Sequence, residues 1–219
     1  MPATDFASRT LADIATALPG ATALFRAEKL DFCCGGKVSL ADAMAARQKD
    51  PGELAAKLEA LEAQARPAET PQDVDGLIDH ILSRYHETHR REVPELLRMA
   101  RRVEAVHRDN PNVPAGLADL IEHIGEELES HMQKEEQVLF PMMRSGGHPM
   151  IGGPISVMLS EHDDHGENLR KLEAITTDFT PPADACTTWR ALYVGARKLT
   201  DDVMEHIHTE NNILFPRFA

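Results

Sequence analysis

Residues 131–141 read HMQKEEQVLFP, and residues 206–216 read HIHTENNILFP. Both fit H-x-x-x-E-x-x-x-L-F-P, through His131, Glu135, Leu139, Phe140 and Pro141, then His206, Glu210, Leu214, Phe215 and Pro216. A second pair of phrases lies upstream: Tyr85-His86-Glu87-Thr88-His89 before the first copy, and Glu161-His162-Asp163-Asp164-His165 before the second. His131 and His206 are 75 residues apart, His86 and His162 are 76 apart. So steady an offset implies two copies of a helix–helix unit packed together, and hence an all-α four-helix bundle.

On an α-helix, residues i and i+4 share a face, separated by roughly 6 Å of rise and about 40° of rotation. A His and a Glu so placed can bind one ion, or the Glu can bridge two. Each half of the bundle offers one H-x-x-x-E helix and one His helix. Together they supply His86, His131, His162, His206, Glu135 and Glu210. Imidazole with carboxylate suits iron, zinc, manganese or copper. If both glutamates bridge, each of two ions receives two nitrogens and two carboxylate oxygens, and an oxo or hydroxo bridge makes five ligands. A six-coordinate iron then keeps one position open. A single His–Glu pair is ordinary on a solvated helix face; two matched copies are not. The L-F-P endings read as apolar core followed by a Pro that disrupts or ends the helix.

The chain has 219 residues, 42% apolar and 27% charged, which is globular. It lacks a long uncharged apolar run, so no membrane span is expected, and MPATDFASRT does not read as a signal peptide. A net charge of −13 argues against a nucleic-acid partner. Three cysteines, two of them adjacent, make no disulfide framework and suit a reducing cytoplasm.

In order, residues 1–65 read as a small helical N-terminal domain. Its first helix runs from Thr4 to about Leu18, capped by Thr4 or Asp5, and later helices start after Ser39 and Asp50. Residues 66–72 read as a linker and 73–219 as the bundle. Four long helices are expected there, at about 73–108 with a kink or break at Pro94, then 114–140, 155–177 and 183–215. A glycine-rich loop, SGGHPMIGGP, joins the halves.

His89 and His165, three residues after His86 and His162, are the reserve ligands, otherwise partly exposed or beside the site. Glu127 and Asp202, one turn before His131 and His206, can hydrogen-bond a ligand imidazole; Glu161 points about 100° away and is weaker. His80, His107, His123, His148 and His208 have no counterpart and read as surface. Cys186 reads as structural. Cys33-Cys34-Gly35-Gly36-Lys37 reads as a mobile, somewhat electropositive turn that favours thiolate. Adjacent cysteines are poorly placed for an ordinary disulfide. The pair is either reactive, able to bind soft metal or exchange disulfide, or simply two small buried residues in a tight turn.

Several stretches resemble one known family, the di-iron iron–sulfur cluster repair proteins with a hemerythrin-like domain. They are Leu30-Asp31-Phe32-Cys33-Cys34-Gly35-Gly36-Lys37, Tyr85-His86, Ser130-His131-Met132, Lys134-Glu135-Glu136-Gln137, 153–158 (GPISVM), Glu161-His162-Asp163, Ala185-Cys186-Thr187-Thr188-Trp189 and Glu210-Asn211-Asn212. The resemblance implies two non-heme iron ions held by His86, His131, His162 and His206, with Glu135 and Glu210 as bridges. It also implies repair of iron–sulfur clusters damaged by nitric oxide or peroxide, by donating iron to the damaged proteins. Cys33 and Cys34 would contact the target or hold iron in transit. Two further readings stand beside it: a nitric oxide-binding or nitric oxide-reducing di-iron enzyme, and a passive sensor or store of oxygen, nitric oxide or iron. The chain would act as a monomer or homodimer.

Overall fold

The computed structural model describes residues 6–64, 71 and 73–218. The chain divides into two compact units. One runs up to Gln72 and takes in Ile207–Arg217; the other spans Asp73–His206. Among the described residues there is no strand, only an isolated bridge between Thr10 and Ser39. No helix among them is long and apolar enough to cross a membrane.

The first unit is built from short helices: α1 (Leu11–Ala17), α2 (Ala21–Ala27), α3 (Leu40–Ala45) and α4 (Pro51–Glu62). Their starts follow from capping chemistry. Thr10 Oγ1 accepts the Asp13 N–H, Ser39 Oγ accepts the Asp42 N–H, and the Asp50 carboxylate accepts the Gly52 N–H with Pro51 in the first turn. The expected caps Thr4 and Asp5 lie outside the described residues, and α1 starts later than expected, after a 3-10 turn over Phe6–Ser8. Phe25, Leu30, Phe32 and Leu58 are fully buried and form the centre of this unit. Asn211 and Asn212, near the chain's end, also belong to it. The Asn211 amide donates to the Cys33 carbonyl (3.1 Å) and the Asn212 amide to that of Phe32 (3.1 Å).

The second unit is the bundle. Its first rod comprises α5 (Val74–His80), a π-helical turn (Ile81–His86) and α6 (Glu87–Val106). The second comprises α7 (Leu117–Lys134), a π-turn (Glu135–Leu139) and α8 (Phe140–Arg144). The third is α9 (Gly152–Ile175), and the fourth is α10 (Thr187–His208), of which the part up to His206 belongs to this unit; its last residues and the π-turn that follows (Thr209–Leu214) group with the first. α6 packs on α7, and α7 on α9. Gly125 of α7 and Gly195 of α10 give α6 close approach. A Cβ at Gly125 would stand 2.7 Å from Val93 Cγ1, and one at Gly195 would stand 2.5 Å from Leu96 Cδ2.

At Pro94 a kink or break was expected and at Pro141 a disrupted or ended helix, and at both the helix goes on past the proline. α6 passes through Pro94 without a break. Pro94 is on the solvent side while Val93, Leu96, Ala100 and Val103 are buried, so the carbonyl robbed of its partner faces water. Pro141 does not end its helix either, because α8 continues to Arg144. The preceding turn is widened: the Phe140 N–H bonds to the Glu135 carbonyl, five residues back. A wide turn relieves the clash of a proline ring with the carbonyl four residues before it. The second copy makes the same bond, Phe215 N–H to the Glu210 carbonyl, but then tightens into a 3-10 end over Phe215–Phe218. Leu139, Phe140, Leu214 and Phe215 are buried, as core residues should be.

Candidate metal centre

The four imidazoles converge at mid-bundle through their Nε2 atoms. His86 Nε2 lies 3.3 Å from His206 Nε2, and His162 Nε2 lies 3.1 Å from His131 Nε2. Glu135 stands between the two pairs. Its Oε2 is 3.3 Å from His86 Nε2 and its Oε1 is 3.5 Å from His131 Nε2. One carboxylate thus turns one oxygen to each pair. Glu210 lies one turn after His206 on the same continuous helix and is fully buried. The ligand atoms form two groups, His86, Glu135, His206, Glu210 and His131, Glu135, His162, Glu210; within each, all atoms lie within 4.8 Å of one another.

The remaining ring nitrogens fix the tautomer. His86 Nδ1 donates to Glu136 Oε1 at 2.8 Å, and His131 Nδ1 donates to Glu161 Oε2 at 2.9 Å. Burial works against ionising Glu136, but Arg90 and His86 outweigh it and hold the carboxyl below its usual range. Glu161 behaves likewise: burial raises it, and Lys134 with His131 brings it lower. Arg90 bonds Glu136 at 2.7 Å, and Lys134 pairs with Glu161. Two ionised carboxylates therefore accept from Nδ1, and both Nε2 lone pairs face inward.

Such a set fits cations. Two ligands each about 2.1 Å from one ion, at angles between a right angle and tetrahedral, lie roughly 3.0–3.4 Å apart. The observed pairs at 3.1 and 3.3 Å match that span. Neither oxygen of Glu135 has a hydrogen bond, although the residue is fully buried. A buried carboxylate without donors is costly, and coordination removes that cost. Each ion position has two imidazole nitrogens and carboxylate oxygen, a set suited to iron, zinc, manganese or copper.

The reserve residues fall outside both groups. His89 and His165 are buried, 1% and 4% exposed, beside the ligands. Their rings lie 5.5 Å from His206 and 5.0 Å from His131, respectively. Burial, then the nearby imidazole of His206, pushes His89 down to about 2; burial and His131 push His165 down to about 3. Tyr85 stacks on His206, its centroid 5.1 Å away. Glu127 accepts instead from the Asn168 amide (2.6 Å), and Asp202 from Arg84 (2.6 Å) and Lys198 (2.7 Å).

Glu161 was undervalued in the sequence, and Glu136 had no role there. A residue 100° from the inward face of its own helix meets the neighbouring helix, where His131 lies. The readable signal was an acidic residue adjacent to a ligand, in Glu135-Glu136 and Glu161-His162. Three histidines expected on the surface are also corrected. His80 is half-buried, its ring edge-on to Tyr85 with the centroids 5.6 Å apart. His208 is buried, with Nδ1 2.8 Å from the Asn212 amide and its ring edge-on to Phe32. His107 is half-buried, its Nε2 3.2 Å from Cys186 Sγ, which gives that cysteine a partner.

The cysteine turn also differs from its reading. Cys33 is buried and Cys34 half-buried. The turn is pinned rather than mobile: Asp31 Oδ1 accepts from the Cys34 N–H (2.9 Å) and the Gly35 N–H (3.0 Å). The Cys33 thiol is pushed well up by its hydrogen bond with Cys34, by burial and by Asp31, which disfavours thiolate. Neither cysteine is in a disulfide.

Residues 77–218 match the hemerythrin HHE cation binding domain, and residues 7–62 match ScdA_N, a domain of unknown function. The chain is 49% identical over 214 residues to the iron-sulfur cluster repair protein YtfE of Dickeya chrysanthemi (strain Ech1591). It is 48% identical over 220 residues to that of Citrobacter koseri and 48% over 219 to that of Escherichia coli O81. Each match covers 97% of both chains.

Proposed function

The chain belongs to the hemerythrin HHE cation-binding family, and from its donor set we propose that it is a di-iron protein that repairs damaged iron–sulfur clusters by donating iron. The observation that carries this reading is Glu135, whose two buried oxygens face two separate histidine pairs. His86 and His206 would hold one iron, His131 and His162 the other, with Glu135 and Glu210 bridging. The relatives named above are called iron-sulfur cluster repair proteins, which supports the same role here. Proteins with clusters damaged by nitric oxide or peroxide are the proposed partners, and the cytoplasm the proposed compartment.

Iron at such a site is cargo, and it supplies a bound metal that can be passed on. The chain's own residues set how firmly it is held. Glu136 and Glu161 fix the His86 and His131 rings and increase their basicity. Both carboxylates are part-exposed, 29% and 23%, so water reaches this outer layer while the ligands stay dry. His89, His165 and Tyr85 close the layer around the centre. Cys33 and Cys34 are the proposed points of transfer.

Label transfer tests the reading. The protein is loaded with isotopically enriched iron and incubated with an iron–sulfur dehydratase inactivated by nitric oxide. Label should enter the dehydratase as its activity returns. Label that stays in the bundle while nitric oxide disappears would instead make this a nitric oxide-handling enzyme.

A further inference from the structure

Asp31, Cys33 and Cys34 bring a carboxylate oxygen and two thiol sulfurs within 4.8 Å of one another. Cys33 Sγ lies 3.8 Å from Cys34 Sγ and 3.4 Å from Asp31 Oδ1. The sulfur separation is far from a disulfide bond of about 2.05 Å. It is close to the edge of a tetrahedral metal site. Two sulfurs about 2.3 Å from one ion at the tetrahedral angle stand roughly 3.8 Å apart, and a sulfur and an oxygen ligand roughly 3.6 Å. The two separations made by Cys33 are therefore close to those between ligands on one ion.

The turn is built to hold that arrangement. The Cys34 and Gly35 N–H groups hold Asp31, and the Asn211 and Asn212 amides hold the Cys33 and Phe32 carbonyls. A Cβ at Gly36 would run into the Phe32 carbonyl oxygen, so the chain can turn this tightly only with glycine there. Without metal the Cys33 thiol bonds to the Asp31 carboxylate and to Cys34, and a divalent cation would displace the thiol protons and take all three groups as ligands. From this geometry we propose that Asp31, Cys33 and Cys34 form a third metal site, which binds a single divalent transition-metal ion and leaves its fourth position open to an acceptor.

As a transit site for iron this rests on the donation reading above; as a metal site it does not. Binding is ligand exchange. The thiol protons leave to water as the metal–sulfur bonds form, and no electron is transferred. Thiolate softens the site relative to the imidazole–carboxylate centre, which suits ferrous iron, zinc or cobalt. An open position is what a ligand from a damaged cluster needs to take the metal over.

Cobaltous ion is the probe, because thiolate ligation gives it intense near-ultraviolet charge-transfer absorption that imidazole and carboxylate do not. The full chain is titrated anaerobically, with metal content and absorption followed together. A third equivalent should bind with that absorption. Asp31→Asn, which keeps the oxygen that accepts from Cys34 and Gly35 but removes the ligand charge, should weaken binding of the third ion. Cys34→Ser should reduce the absorption, the Cys33→Ser, Cys34→Ser double variant should remove it, and all these variants should keep two ions in the bundle. Absorption that never develops, or is unchanged in the double variant, overturns the site. The iron-label experiment separates the two ideas. Charge-transfer absorption without transfer keeps the site and removes donation, whereas transfer without the absorption removes the site.

Discussion

At the scale of single residues, the candidate centre depends on carboxylates that lie outside both ligand groups. Glu136 and Glu161 accept from the outward nitrogens of His86 and His131. Glu136→Gln or Glu161→Gln should lower metal affinity about 10- to 100-fold with the helices intact, measured by competition with a chelator. Loss equal to removing a ligand His would place those carboxylates on the metal instead. The buried histidines predict a pH dependence. His89 titrates at about 2 in the fold against 6.5 unfolded, so the unfolded chain takes up the proton first. Its contribution to stability is complete above about pH 6.5 and falls as pH drops, by about 1.4 kcal/mol per unit. Between pH 7.5 and 5.5, urea unfolding of the metal-free His89→Leu chain should lose about 1.4 kcal/mol less than wild type. Equal losses would mean that His89 is not held neutral. The six ligand candidates were legible because a His and a Glu four apart recur at a fixed offset. Asp31 was not, because its link to Cys33 and Cys34 comes from the folding back of a turn, which has no period.

At the scale of elements, three of the four rods contain a π-turn at the level of the centre: Ile81–His86, Glu135–Leu139 and Thr209–Leu214. Each inserts one residue into the helical count, and π-turns are frequent at functional sites. The sequence hid them, since a 3.6-residue period absorbs a single extra residue. The His131-to-Glu135 reading survived because that span is still α-helical, with the Glu135 N–H bonded to the His131 carbonyl. Proline had two meanings that local pattern could not separate, a solvent-side Pro94 that α6 tolerates and a Pro141 that sits beyond a widened turn. Close helix approach gives the test at this scale. Gly125→Ala would press a methyl toward Val93, a β-branched side chain with little freedom. The overlap costs about 1–3 kcal/mol, against a helix-propensity gain of about 1. Net destabilisation of about 1 kcal/mol is expected in chemical denaturation, and a stabilised variant would mean that α6 and α7 stand further apart.

At the scale of the whole molecule, an all-α chain with a four-helix bundle and small N-terminal helices was legible from repeats and caps, and the hemerythrin likeness from the quoted motifs; the linker expected at 66–72 lies, except for residue 71, outside the described residues. The division of the last helix was not legible. Residues from Ile207 group with the N-terminal unit, through Asn211 and Asn212 and through His208 beside Phe32. Long-range pairing of that kind leaves no mark on composition. The asparagines that follow the second H-x-x-x-E hold the cysteine turn. The most direct test of the paired centre is iron content together with Mössbauer spectra of the loaded protein, wild type against Glu135→Ala. About two irons per chain and a magnetically coupled pair are expected in the wild type, with less iron retained in the variant, which has lost one of the two bridging carboxylates. One iron per chain, or two that are uncoupled in the wild type, would contradict a centre bridged by Glu135.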